Sequence, residues 1–447
     1  MDNNFKFYNT LTRQIDTVVP RVDGKIGMYT CGPTVYHFAH IGNIRSYIME
    51  DVLEKALRYV GYDVKRVMNI TDVGHLSSDG DTGEDKMLKG AKREHKSVME
   101  VAKEYTDAFF KDFTAVHNRM PDVVEPATNC IPEFIHMVEV LIEKGYAYFA
   151  GGNVYFDTSK LDDYFVFSSA VEKEQLQVGV RDDVEEDVNK KNKNDFVLWF
   201  TQSKFEDQAL KWDSPWGVGY PGWHIECSVM SKKYLADEID IHAGGEDLIF
   251  PHHENEIAQS EAANGVPFAK YWMHNAFLNI DNKKMSKSLG NFFTVRDISK
   301  EYDLQVLRFF MLSAHYRNPI NFSHDLMEAA KNGLDRIITA VTNLTHLEKS
   351  AKDSAMTEDE KKVIDSTKDI YGKFEAAMDD DFNTADAISA VFELVKLANS
   401  NSSEDNTKEY ITALKESIVT LADILGLKVI KEEELLDEDI EALIAER

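Results

Sequence analysis

Apolar and polar positions change period along the chain, and those changes divide it. The run Lys25-Ile26-Gly27-Met28-Tyr29-Thr30 predicts a short buried strand that passes into the turn Cys31-Gly32-Pro33-Thr34. Over 44–60 the apolar residues Ile48, Val52, Leu53, Ala56, Leu57 and Val60 recur at helical spacing, and Gly61 stands where helices commonly stop. Residues 64–70 predict a second strand. Strand, helix and strand at this spacing form a βαβ unit, which implies a parallel sheet with a right-handed crossover.

Helical patterns then continue to about residue 141. The stretch 145–214 is irregular and contains a polar run at 182–195, including Lys190-Lys191-Asn192-Lys193, expected to be an exposed loop. Strand-like runs return at 238–242 and 272–280. The irregular middle is therefore expected to be inserted between two halves of one sheet. From Val295 onward the pattern is almost entirely helical, at 304–313, 326–346, 361–377 and 384–398. Links are expected at 350–360 and 400–405.

Bulk properties narrow the picture. A chain of 447 residues exceeds one ordinary core. No apolar run approaches the roughly 18 residues that cross a bilayer, and the polar start lacks a signal-peptide pattern, so a cytoplasmic protein is expected. Three cysteines, Cys31, Cys130 and Cys227, are no disulfide framework; each is a packed residue, a nucleophile or a metal ligand. A net charge of −28, from 50 basic and 78 acidic residues, argues against a broad basic surface for nucleic acid.

Three segments carry candidate chemistry. Tyr36-His37-Phe38-Ala39-His40-Ile41-Gly42-Asn43 falls between the first strand and its helix. It lies at the carboxyl edge of a parallel sheet, where ligands bind and a helix N-terminus favours phosphate. His37 and His40 can donate to phosphate or ribose, and Gly42 would let a ligand approach the backbone. The bland alternative is a pair of capping or packed histidines. Far downstream, Lys284-Met285-Ser286-Lys287-Ser288 puts two ammonium groups and two hydroxyls on a short loop. Such a loop could close on a triphosphate; the alternative is a solvated turn.

The third segment is a set of scattered ligand types. Cys31 and Cys227 offer thiols, and Phe250-Pro251-His252-His253-Glu254-Asn255-Glu256 offers imidazoles and carboxylates. On a helix His252 and Glu256 share a face; His253 with Glu256 is the less favoured choice. Two thiolates, an imidazole and a carboxylate suit a tetrahedral zinc, although no CxxC spacing announces one.

HIGN followed by KMSKS resembles the paired signatures of class I aminoacyl-tRNA synthetases. CGPTVY, NITD, DFVLW, PGWHIECS, HAGGEDLIFPHHENEIAQ, YWMH, KMSKSLGNFFTVRD and AMDDDFNT together resemble the cysteinyl-tRNA synthetase family. The resemblance implies an α/β fold: a Rossmann-type parallel-sheet catalytic domain split by an insertion, followed by an all-α C-terminal bundle. The boundaries expected are 1–125 and 221–290 for the two halves of the catalytic domain, the second bearing the KMSKS loop. Between them lies a connective insertion, 126–220; a stem-contact region, 291–348, and a helical bundle, 349–447, follow.

The same resemblance implies cysteine activation by ATP and transfer to the 3′ end of tRNA(Cys). Cys31, Cys227, His252 and Glu256 would be the ligands of one Zn2+ per chain. His37, His40, Gly42, Asn43, Lys284, Ser286 and Lys287 would bind ATP with Mg2+, with His40, Lys284 and Lys287 catalytic. Thr71, Trp223, His242 and Asp247 would wall the L-cysteine pocket. Cys130 matches no signature and is expected to be packed. A monomer with no membrane partner is expected.

Some positions depart from the family pattern. Asn43 stands where histidine is usual, and Phe200 where a lysine often follows the LW of DFVLW. Residues 439–447 resemble the beginning of the family's C-terminal segment, so the part that helps recognise the anticodon is expected to be missing. Two rival readings remain: a ligase joining cysteine to a small-molecule amine, and an inactive paralogue that binds RNA or a protein. Cysteine-dependent ATP–pyrophosphate exchange separates enzyme from binder, and charging of tRNA(Cys) separates the two ligases.

Overall fold

The first βαβ unit forms where the apolar pattern predicts it. The computed structural model describes residues 5–73, 86–168, 187–202, 210–285 and 290–430. A short antiparallel pair, β1 (Lys6–Asn9) and β2 (Gln14–Thr17), leads into β3 (Lys25–Thr30). Helix α1 (Ile41–Tyr59) crosses to β4 (Asp63–Ile70), which lies parallel to β3. The helix buries Ile44, Ile48, Val52, Leu53, Ala56 and Leu57 along one stripe. Gly61, at φ 101°, follows its C-cap in a backbone conformation that glycine adopts without strain.

Helices α2 (Lys86–Glu94) and α3 (Val98–Ala115) precede a further parallel strand, β5 (Val123–Pro126). The sequence reading has only helix here. β5 is short, ends in proline and occupies the sheet edge, where proline is tolerated, so its pairing with β4 rather than its own pattern makes it a strand.

After α4 (Ile131–Glu143) the chain builds a separate antiparallel sheet. Its strands are β6 (Ala147–Ala150), β7 (Asn153–Phe156), β8 (Phe196–Phe200) and β9 (Tyr220–Pro221). Phe200 is buried there and stacks on Tyr220 at 4.9 Å between ring centroids, which accounts for an aromatic at this position. Then α5 (Ile225–Tyr234), β10 (Ile239–Gly245), α6 (Glu254–Asn264) and β11 (Ala269–Asn275) return to the parallel sheet. Its order is β11-β10-β3-β4-β5. The antiparallel sheet thus interrupts a parallel one.

A small third sheet follows. β12 (Leu278–Ile280) pairs with β13 (Lys283–Lys284), helix α7 (Leu304–Leu312) intervenes, and β14 (Ile320–Phe322) joins β12 in parallel. This strand corrects the expectation of nearly continuous helix beyond Val295; three residues are too few to display a period. Helices α8 (His324–Ser350), α9 (Glu358–Asp379), α10 (Thr384–Asn401) and α11 (Lys408–Ile424) complete the described chain.

Arg308 joins these parts. It is fully buried on α7, forms an ion pair with Asp51 of α1, and donates to the carbonyls of Val116, after α3, and Leu425, after α11. Among the described residues, no helix is long and apolar enough to cross a membrane.

Candidate active site and metal-ligating cluster

The chain leaves β3 toward β4 on one side, while β10 pairs with β3 on the other. At such a switch point a crevice opens beyond the carboxyl ends of the strands. Cys31 follows β3, Thr71 follows β4 and Asp247 follows β10, and all three line a cavity of about 370 Å3 there. A Cβ on Gly32 would lie 1.6 Å from the Asn69 carbonyl oxygen, so glycine is what lets the strand ends approach. The Gly32 amide donates to Asn69 Oδ1 at 2.7 Å.

At the floor, four side chains from three segments meet. Cys31 Sγ is 3.7 Å from Cys227 Sγ, which α5 supplies, and 3.9 Å from Glu256 Oε1, which α6 supplies. His252 Nε2 lies 3.5 Å from Cys227 Sγ and 2.8 Å from Glu256 Oε1. One ligand atom from each of the four lies within 4.8 Å of all the others, a group able to hold a metal ion. A second group, Cys31, His242, His253 and Glu256, meets the same distance test. Cys31, Cys227 and His252 line the cavity, whereas Glu256, His242 and His253 lie behind that lining. His253 sends its Nδ1 to His274 Nε2 at 2.7 Å, while its Nε2 lies 3.6 Å from Cys31 Sγ.

Burial and charge set the protonation of this floor. Burial raises the Glu256 carboxyl, but the imidazoles of His242 and His252 outweigh it and hold it down at about 2. Burial lowers His252, yet Glu256 and Cys227 beside it carry it up to about 10. The hydrogen bond to Cys227, then burial, pushes the Cys31 thiol well above its ordinary value. His253 is pushed well below its ordinary value, first by burial and then by the imidazoles around it.

The expected walls of the amino-acid pocket divide. Thr71, Trp223 and Asp247 line the cavity; Trp223 stacks on His252 with 4.2 Å between centroids. His242 does not line it. It is fully buried in β10, stacks on Trp272 and donates from Nε2 to Glu256 Oε2 at 2.7 Å, so it stands behind the cluster. Glu226, which the sequence reading missed, accepts from Thr71 Oγ1 at 2.6 Å and orients that hydroxyl. Cys130 is buried within an apolar cluster, as expected.

The other end of the cavity is lined by His37, His40, Asn43 and Phe292. His40 caps α1: its Nδ1 accepts the Asn43 amide, which leaves Nε2 to carry the proton of the neutral ring. Phe292 meets both histidine rings edge to face. A Cβ on Gly42 would come within 3.0 Å of His40 Nδ1 and 3.2 Å of Met285 Cε. Lys284 ends β13, while Ser286 and Lys287 lie outside the described residues.

Residues 17–332 match the family model described as tRNA synthetases class I (C) catalytic domain, and residues 373–429 match the DALR domain. The chain is 62% identical to the cysteine–tRNA ligase of Lachnospira eligens, over 99% of this chain and 92% of that one. It is 48% identical to that of Clostridioides difficile, with the same coverage of both chains. In fold it resembles Mycobacterium tuberculosis methionyl-tRNA synthetase in complex with methionyl-adenylate, with a TM-score of 0.61 at 12% identity, covering 90% of this chain and 89% of that one. A likeness of the same order joins it to a putative arginyl-tRNA synthetase of Campylobacter jejuni, at TM-score 0.58 and 14% identity over 91% and 94% of the two chains. With a class I catalytic model over most of its length and such relatives spanning nearly all of it, the chain belongs to the cysteine–tRNA ligase family of class I aminoacyl-tRNA synthetases.

Proposed function

We propose that Cys31, Cys227, His252 and Glu256 hold one zinc ion at the floor of the cavity and that this ion selects L-cysteine by its sulfur. One observation carries the reading: two thiols and an imidazole that line the cavity converge with a carboxylate just behind them, and His37 and His40 line the same cavity. The dimensions suit zinc. Zinc bonds sulfur at about 2.3 Å, so two thiolates on one ion lie within about 4.6 Å of each other, which the 3.7 Å between the sulfurs satisfies. When bound, zinc supplies a Lewis-acid centre that takes the substrate sulfur as thiolate, below the free thiol's pKa of about 8.5.

Selection at this floor does not depend on shape alone. An apolar pocket separates near-isosteres only about 10–200-fold. Serine offers a hydroxyl that stays protonated, and alanine offers no ligand. Trp223, Thr71 and Asp247 then fix the rest of the amino acid, with Thr71 oriented by Glu226.

The reaction proceeds at the other end. A carboxylate oxygen of cysteine bonds to the α-phosphorus of ATP, and the bond to the β-phosphate bridging oxygen breaks, releasing pyrophosphate. His40, with His37, Gly42 and Asn43, holds phosphate and ribose, with Nε2 of His40 donating its proton's hydrogen bond. Lys284, Ser286 and Lys287 stabilise the charge that grows on the leaving phosphates, and Mg2+ accompanies ATP. The terminal ribose hydroxyl of tRNA(Cys) then takes the aminoacyl group. One chain supplies every group named, so a monomer suffices, and the thiols of the cluster suit a reducing cytoplasm.

Elemental analysis and kinetics of Cys227→Ser test this. About one zinc per chain is expected in the parent. The variant should lose metal, raise the KM for cysteine about 100-fold or more, and reject serine less well in pyrophosphate exchange. A metal-free parent that activates cysteine at full rate refutes the assignment.

A further inference from the structure

We propose that Arg45 is a positioning residue for adenylate formation, acting through the main chain that carries the lysine loop. The inference rests on the roles given above to Lys284 and Lys287. Arg45 is 3% exposed and lies in α1, two residues after Asn43. Its Nη1 donates to the carbonyls of Ala276 at 2.7 Å and Phe277 at 2.6 Å. Its Nη2 donates to the carbonyls of Asn318 at 2.6 Å and Tyr316 at 3.3 Å, with His315 at 3.5 Å.

These carbonyls have a common meaning in the fold. Ala276 and Phe277 immediately precede β12, whose hairpin partner β13 ends at Lys284. Tyr316 and Asn318 precede β14, the parallel partner of β12. The guanidinium therefore grips the main chain just ahead of both strands, the first of which leads through β13 to Lys284. A planar fork of donors can serve carbonyls of two segments at once, which a single ammonium cannot do as well. Burial draws Arg45 down to about 10, so it remains a cation at neutral pH. Glu246, whose Oε1 accepts the Phe277 amide at 3.1 Å, steadies the same corner.

The exit from the loop is fastened to the same end of α1. The Ile41 amide donates to the Phe293 carbonyl, and the Val295 amide to the Ala39 carbonyl, both at 3.1 Å. His40 and Thr294 thus face each other in an antiparallel bridge. Entry and exit are both tied to the segment that presents His40, and Met285 packs toward Gly42 between them. The imidazoles and the lysine-bearing strand form one frame, with Arg45 as its entry bolt.

Such a frame matters most in the transition state. Groups that neutralise developing charge must already be in place, and a misplacement of about 1 Å can cost on the order of 100-fold. Loss of Arg45 should then lower kcat for adenylate formation while leaving ground-state cysteine binding intact.

The test uses the full chain with Arg45→Lys, Arg45→Ala and Lys287→Ala. Readouts are cysteine-dependent ATP–pyrophosphate exchange, KM for cysteine, zinc content and circular dichroism. Arg45→Lys should lower exchange kcat about tenfold or more, with KM for cysteine within about twofold and zinc content unchanged. Arg45→Ala should fall further and recover in part with added methylguanidinium. If Arg45→Ala does not fold, Arg45→Lys decides alone. Parental kcat in Arg45→Lys, or a loss matched by its unfolded fraction, overturns the proposal. Lys287→Ala keeps the two readings apart. Undiminished exchange there refutes the lysine assignment itself, whereas lost exchange there with parental rates in the Arg45 variants refutes only the role of Arg45.

Discussion

His40 and Asn43 hold each other across the first turn of α1: the ring Nδ1 accepts the Asn43 amide at 3.1 Å, and Asn43 Oδ1 accepts the His40 amide at 3.4 Å. This reciprocal cap satisfies helix-end donors and orients the imidazole at the same time. Asparagine at this position therefore does structural work that its hydrogen-bonding oxygen suits. Asn43→Ala should reduce pyrophosphate exchange about tenfold, equivalent to roughly 1.4 kcal/mol, with little loss of secondary structure. Unchanged exchange in that variant would show that the box does not orient His40.

His242 donates to Glu256 Oε2 at 2.7 Å from behind the ligand cluster. Partners of this kind fix the orientation and basicity of a metal-binding carboxylate. His242→Phe keeps a ring against Trp272 but removes the donor to Glu256 Oε2. Zinc affinity should fall about 10–100-fold, measured by competition with a chelator of known affinity. Affinity equal to the parent's would assign His242 to packing alone.

Periodicity reveals α1 because it is long enough to repeat its apolar stripe, and β3 and β4 show as apolar runs because the parallel sheet buries both their faces. β5 and β14 leave no such trace; they are short and owe their form to the strands beside them. The ligands of the cluster come from three distant segments, so their convergence has no local spacing, and the family resemblance had to supply it. His242 looks like the end of a strand when the run is read over 238–242. The strand in fact extends to Gly245, which puts His242 in mid-strand and buries it. Arg45 is invisible for a different reason: its partners are main-chain carbonyls, which leave no signature in side-chain types.

Glu360 gives the helical bundle a pH-dependent joint. Its carboxylate accepts the amides of Thr357 at 2.8 Å and Thr407 at 2.9 Å, tying the start of α9 to the start of α11. Burial acts to raise it, but these amides and the Asn406 and Thr407 side chains hold it at about 2. A carboxyl depressed in the folded state contributes stability above its unfolded pKa of about 4.3, and that stability drains away as pH falls toward 2. Glu360→Gln should cost about 1–3 kcal/mol at neutral pH and should flatten the acid limb of bundle unfolding between about pH 4.3 and 2. A variant with the parent's acid profile would remove Glu360 from that role.

Asp51 and Arg308 form a fully buried pair between α1 and α7. Removing the guanidinium leaves Asp51 with Lys55 as its remaining cation and the carbonyls of Val116 and Leu425 without their donor, so Arg308→Met should cost about 3–5 kcal/mol in chemical denaturation. Asp51→Asn should cost less in that variant than in the parent, because the guanidinium that Asp51 pairs with is already gone. Strictly additive losses would show that the two side chains do not interact energetically.

The pairing of Asp51 with Arg308 also has a consequence for synthesis on the ribosome. The carboxylate emerges 257 residues before its guanidinium, and the carbonyl of Leu425 that anchors the same guanidinium emerges later still. Until then, Asp51 has Lys55 and the Arg119 amide as its partners and lacks only the guanidinium. The tie that runs from α1 through α7 to the chain after α11 can therefore close only once Leu425 has been made.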